Sequence, residues 1–102
     1  AGLCHGATGA IASTGNIAPK LVADIYNTFV AGDYQKSLEL QFKLAPLRLA
    51  VDKATFPVVL KEGLRMVGID VGYSFAPAAE MNPESKEILE NVLKDLELYQ
   101  IY

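Results

Sequence analysis

Gly6, Gly9 and Gly15 precede a helical pattern, and glycines so placed can let backbone N–H groups close on a phosphate. Their spacing fits neither common phosphate loop. Ala10 and Ile11 follow Gly9 where a P-loop needs Lys and then Ser or Thr, and no two glycines stand one residue apart as a dinucleotide fingerprint demands. The glycines read as a tight lead-in to a helix, whose free N–H groups near Asn16 could still attract an anion. Cys4 and His5 are adjacent, and each is the sole residue of its kind. A structural zinc site takes four ligands, and a Cys–His nucleophile pair takes converging side chains with a third orienting group. Neighbouring side chains diverge, so neither chemistry is expected.

Carboxylates crowd the last third of the chain, among them Glu80, Glu84, Glu87, Glu90, Asp95 and Glu97. On the outer face of a helix such groups are solvated and do no acid–base work. Lysines are spread along the chain from Lys20 to Lys94. A Schiff-base lysine must lose its proton near neutral pH, which takes burial or a cationic neighbour. None of these positions promises either. The residues taken alone thus predict no catalytic group, no metal site and no cofactor site.

The elements that carry these residues are short of polar cover. A chain of 102 residues makes one small domain, yet 51% of it is hydrophobic and its mean hydropathy is +0.21, high for a domain with so much surface to cover. Net charge is −3, which leaves no electrostatic footprint for nucleic acid. Neither a basic run for an anionic membrane nor an apolar span is present. The chain opens at Ala1 without a signal-peptide pattern, and one cysteine forms no internal disulfide. Both fit a cytoplasmic protein.

Gly9 to Ser13 reads as one short strand. Alone it has no ladder partners, which predicts that the chain belongs to a larger protein. From Asn16 the apolar period lengthens to that of a helix. Asn16 is a good cap, Pro19 suits a first turn, Ile17, Leu21, Ile25 and Phe29 form a stripe, and Gly32 stops it. Asp33 caps a second helix, about Tyr34 to Val51, with two stripes: Leu38, Phe42, Ala45, Leu49, and Leu40, Leu44, Leu47, Val51. Two stripes predict burial on two sides, and Pro46 predicts a kink. Thr55 and Pro57 open a third helix with Leu60, Leu64 and Val67 inward and Gly68 at its end. Ile69 to Met81 has no period and reads as a surface connection. Asn82-Pro83-Glu84 starts a fourth helix, with Ile88, Val92, Leu96 and Tyr99 on its inner face, Leu89 and Leu93 alongside, and Glu90 paired with Lys94 outside.

Gly9-Ala10-Ile11-Ala12-Ser13-Thr14-Gly15-Asn16-Ile17-Ala18-Pro19-Lys20, then Ala31-Gly32-Asp33 and Leu44-Ala45-Pro46-Leu47, resembles the C-terminal third of the dihydrodipicolinate synthase and N-acetylneuraminate lyase family. The likeness spans nearly the whole chain. The family is a (β/α)8 barrel with an extra C-terminal helical unit, and its members make or break a carbon–carbon bond next to pyruvate through a lysine Schiff base. The resemblance implies that residues 1–32 are the last strand and helix of a barrel and residues 33–102 the helical unit. It implies that Ile11, at the C-terminal end of the strand, lines the pyruvate pocket partly through its backbone. Barrel sites lie at that face. It places the Schiff-base lysine, the proton-relay tyrosine and the carboxylate-binding loop upstream of this sequence.

One run departs from the pattern. Lysine-biosynthesis members usually carry an Asn-Pro-Ile-Pro-Val-Lys run before the third helix, where this chain has Ala54-Thr55-Phe56-Pro57-Val58-Val59-Leu60-Lys61, so a 2-keto-3-deoxy sugar acid aldolase or related lyase is equally open. The fold expected is mainly α, four helices and one short N-terminal strand. The function expected is that of a fragment, inactive alone, of a pyruvate-dependent lyase or synthase. Pyruvate and an aldehyde are its partners, with no cofactor, no nucleic acid and no membrane, in a homo-oligomer (tetramer or dimer). A stand-alone helical oligomerisation module is the alternative. Alone, the chain is expected to self-associate or to leave its first fifteen or so residues unordered.

Overall fold

The computed structural model describes all 102 residues as four helices: α1 (Pro19–Val30), α2 (Tyr34–Val51), α3 (Val58–Val67) and α4 (Pro83–Asp95). Two short 3₁₀ turns precede them, at Leu3–His5 and Ser13–Asn16. The strand expected at Gly9 to Ser13 is absent. Ala12 has extended torsions, φ −118° and ψ 115°, but no backbone hydrogen bond reaches Thr8 to Ile11. A strand is defined by its ladder, and this chain supplies no second strand to pair with it.

Local chemistry fixes most helix boundaries. Asp33 accepts from the Lys36 N–H (3.1 Å) and Asn82 from the Ser85 N–H (2.8 Å), each satisfying a donor that the first turn leaves free. Asn16 does not cap α1. Its Nδ2 donates to the Ser13 carbonyl (3.0 Å) and closes the 3₁₀ turn, so α1 starts later, with Pro19 in its first turn. Gly32 and Gly68 end α1 and α3 in left-handed conformation, φ +85° and +109°. Both ends carry the paired bonds of a Schellman motif: Gly32 N–H to Phe29 O with Asp33 N–H to Thr28 O, and Gly68 N–H to Arg65 O with Ile69 N–H to Leu64 O.

The core lies between the C-terminal half of α2, α3 and α4. Leu47, Val59, Val67, Leu89 and Leu93 are fully buried there, together with Ile17 just before α1. Gly63 on α3 makes room for Ile17: a Cβ at that position would stand 2.5 Å from Ile17 Cδ1. Ser85 Oγ donates to the Lys53 carbonyl (3.2 Å), tying the start of α4 to the end of α2. On α4 the buried face is Ser85, Leu89 and Leu93, with Ile88 and Val92 at its flanks. The inner face is therefore turned by one residue from the one read in the sequence, and the helix ends at Asp95, before Tyr99.

Only one of the two stripes of α2 is covered. Leu44, Leu47 and Val51 are buried, whereas Leu38, Phe42 and Leu49 are exposed. The helix is continuous through Pro46. No residue of α1 is buried; it packs on α2 through half-covered Leu21, Val22 and Ile25. Ser37 Oγ donates across that contact to the Ile25 carbonyl (2.8 Å).

Candidate functional site

The 3₁₀ turn at Ser13–Asn16 anchors the segment that carries Ile11. The Gly15 N–H donates to the Ala12 carbonyl (3.0 Å), and the Ile17 and Ala18 N–H groups donate to Thr14 O (3.1 and 2.8 Å). Ile17 and Ala18 are then sealed in the core. Toward the N-terminus the chain leaves this anchor without backbone hydrogen bonds from Thr8 to Ile11, and the Ile11 side chain is fully exposed.

Beside Ile11 opens a cleft of about 490 Å³, lined with Ala12, Ser13, Arg48, Asp52 and Phe56 among others. The end of α2 supplies Arg48 and Asp52, an i,i+4 ion pair at 2.5 Å with both side chains more than half exposed. Such a pair contributes little to stability. Phe56, exposed, comes from the link to α3. No lysine, histidine, tyrosine or cysteine lines the cleft. It offers an apolar wall, the Ser13 and Thr14 residues, and the Arg48–Asp52 ion pair. With no lysine in its lining, the cleft cannot by itself form a Schiff base.

The remaining sequence candidates lie apart from this cleft. Cys4 and His5 sit in the exposed first 3₁₀ turn. No cluster of three or more His, Cys, Asp or Glu side chains is close enough to hold a metal ion. Glu84 and Glu87 are exposed, and Glu90 meets Lys94 at 2.6 Å on the outer face of α4. That hydrogen bond pushes the Lys94 ammonium above its usual range. No lysine is buried.

A second, smaller cleft of about 270 Å³ lies between α3, the 69–80 connection and the start of α4, lined by Lys61, Arg65, Ser74 and Lys86. No motif marks it, because its residues are scattered over irregular chain and two helices. The one available signal was a shared face, since Lys61 and Arg65 lie one helical turn apart.

This arrangement of an extended lead-in, a 3₁₀ turn and four helices recurs within TIM-barrel enzymes. A dihydrodipicolinate synthase from Thermotoga maritima matches 94% of the chain at 32% identity with a TM-score of 0.89. A chloride-inhibited dihydrodipicolinate synthase from Acinetobacter baumannii, solved with pyruvate, matches 91% at 30% identity and 0.82. The Dihydrodipicolinate synthetase family model matches residues 1–96, and the chain belongs to that family. Among curated relatives, the 4-hydroxy-tetrahydrodipicolinate synthase of Methanocaldococcus jannaschii is 42% identical over 93 residues, 91% of this chain. The chain spans about one third of its relatives' length: 32% of the Methanocaldococcus protein and 32% of each of the two solved structures.

Proposed function

We propose that this chain is the closing third of a pyruvate-dependent, Schiff-base lyase or synthase, in which residues 1–32 complete the barrel and residues 33–102 form its helical appendix. The observation that carries the reading is Ile11: an apolar side chain left fully exposed at the rim of a cleft, on a backbone segment with every hydrogen-bonding group free. Unpaired extended backbone finds its partners in flanking strands. No lysine lines the cleft, so a Schiff base there takes its lysine from elsewhere in the protein. Pyruvate and an aldehyde are then the substrates, the chain alone is inactive, and Ile11 forms part of the pyruvate wall. The working form is a cytoplasmic homo-oligomer.

A 2-keto-3-deoxy sugar acid aldolase is the second reading within the family, and it rests on the departure around Phe56. Matching Pro57 and Lys61 to the family's Asn-Pro-Ile-Pro-Val-Lys run puts Phe56 at the asparagine. Phe56 lines the same cleft as Ile11, so an apolar ring replaces an amide there.

Replacing Ile11 with Trp in the full-length protein tests the reading. KM for pyruvate should rise about tenfold or more, with thermal denaturation of the same variant checking that the fold is kept. An unchanged KM would remove Ile11 from the pocket.

A further inference from the structure

The open stripe of α2 lies on the side of the helix opposite its buried residues Leu44, Leu47 and Val51. Leu38, Phe42 and Leu49 are 49, 67 and 64% exposed, and Ala45 between them is half-buried. Their spacing is four, three, four, that of the a and d positions in a coiled-coil seam. Polar residues close the row at both ends. Gln35 stands three residues before Leu38 and Asp52 three after Leu49, and both are exposed.

This order of spacings is the same read in either direction. Turned end for end about a point between Lys43 and Leu44, the row falls on itself. Leu38 then meets Leu49, Phe42 meets Ala45, and Gln35 meets Asp52. Each pairing is complementary. Two leucines make an apolar layer, the Phe42 ring finds room over the smallest side chain of the row, and an amide can donate to a carboxylate. On the flanks Glu39 faces Pro46 and Arg48 faces Gln41, so no like charges meet. A partner of another sequence gains nothing from a row that reads alike both ways. The two-fold contact of identical chains requires such self-complementarity.

We propose that α2 of one subunit packs antiparallel on α2 of a second copy, about a two-fold axis that passes between Lys43 and Leu44. The pairing rests on the homo-oligomer inferred above and names its contact; it does not need the pyruvate chemistry. One helix face per copy puts the seam at the low end of specific interfaces, about 1,200 Å² or less in total. Dissociation on dilution is expected.

Cross-linking in the full-length protein tests the pairing. Ala45 lies next to the axis, so Ala45→Cys treated with a short bismaleimide should link to Ala45→Cys of a second subunit. Mass spectrometry identifies the joined peptides. Leu38 lies about 16 Å along the helix from its own symmetry mate, so Leu38→Cys should not link to itself. It should link to Leu49→Cys when the two variants are mixed. Phe42→Glu should halve the mass measured by light scattering where the parent is associated, and Lys43→Glu, off the seam, should leave it unchanged. An associated parent in which Ala45→Cys forms no link overturns the pairing alone and leaves the stripe to the protein's own upstream segment. Leu38→Cys linked to itself, or a Phe42→Glu variant that keeps the parent's mass, overturns it too. A parent that is monomeric at every concentration overturns the homo-oligomer as well.

Discussion

At Glu97 the backbone turns left-handed, φ +59°, to close α4 with the same two bonds that close α1 and α3. The Glu97 N–H donates to Lys94 O (3.0 Å) and the Leu98 N–H to Leu93 O (2.9 Å). Two of these three stops carry glycine and were legible in the sequence. The third carries a glutamate, and the apolar residues Leu96 and Tyr99 keep the helical period running past the true end. The energetics differ accordingly. Gly68 has φ +109°, and a Cβ there would stand 2.9 Å from the Tyr102 carbonyl carbon. The tail it admits matters, because the Gln100 and Tyr102 N–H groups donate to Met66 O and Val67 O at 2.8 and 2.9 Å. Gly68→Ala should therefore cost about 1–3 kcal/mol. Glu97→Gly should gain about 0.5–1 kcal/mol, the left-handed strain relieved less the glycine entropy. Urea denaturation of the chain measures both.

The helices were legible wherever a cap and a period agreed. Asp33 and Asn82 set the starts of α2 and α4, and α2 runs over Tyr34–Val51 as its pattern implies. The strand read at Gly9 to Ser13 is absent, because extended torsions are local while a ladder belongs to two segments. Nor could α2 disclose which of its stripes this chain covers, since both are equally apolar. Leu47 is fully buried and Phe42 is 67% exposed. Leu47→Ala should therefore destabilise the chain by about 2–5 kcal/mol, and Phe42→Ala should stay within about 0.5 kcal/mol. If the open stripe is covered in the full-length protein, Phe42→Ala should there cost about 3–5 kcal/mol. Paired denaturation curves of the chain and the full-length protein separate the two cases. The lining of the Ile11 cleft was not legible in the sequence: the family likeness named Ile11 alone, and Arg48 and Phe56 reach it only through the fold of α2 back onto the 3₁₀ turn.

The molecule as a whole has more surface than its mass calls for. Its accessible area is 6716 Å², where a compact monomer of 11.0 kDa has about 5,600 Å². Its radius of gyration is 14.5 Å, against about 13 Å for a compact chain of this length. Exposed apolar surface lies where helices lack a second layer, on α1, which has no fully buried residue, and on the open stripe of α2. The high mean hydropathy read from the sequence has its structural counterpart there. Such faces seldom stay uncovered on a soluble monomer, and the barrel fragment proposed above, in its homo-oligomer, would account for them together with the unpaired segment at Thr8 to Ile11.

Borohydride reduction in the presence of pyruvate, with the adduct mapped by mass spectrometry, tests this most directly. It is applied in parallel to the 102-residue chain and to the full-length protein. No adduct is predicted on any of the chain's seven lysines in either sample, and the full-length protein should carry one adduct on a lysine outside them. A stoichiometric adduct on a lysine between Ala1 and Tyr102, or a full-length protein that takes up none, would contradict the account.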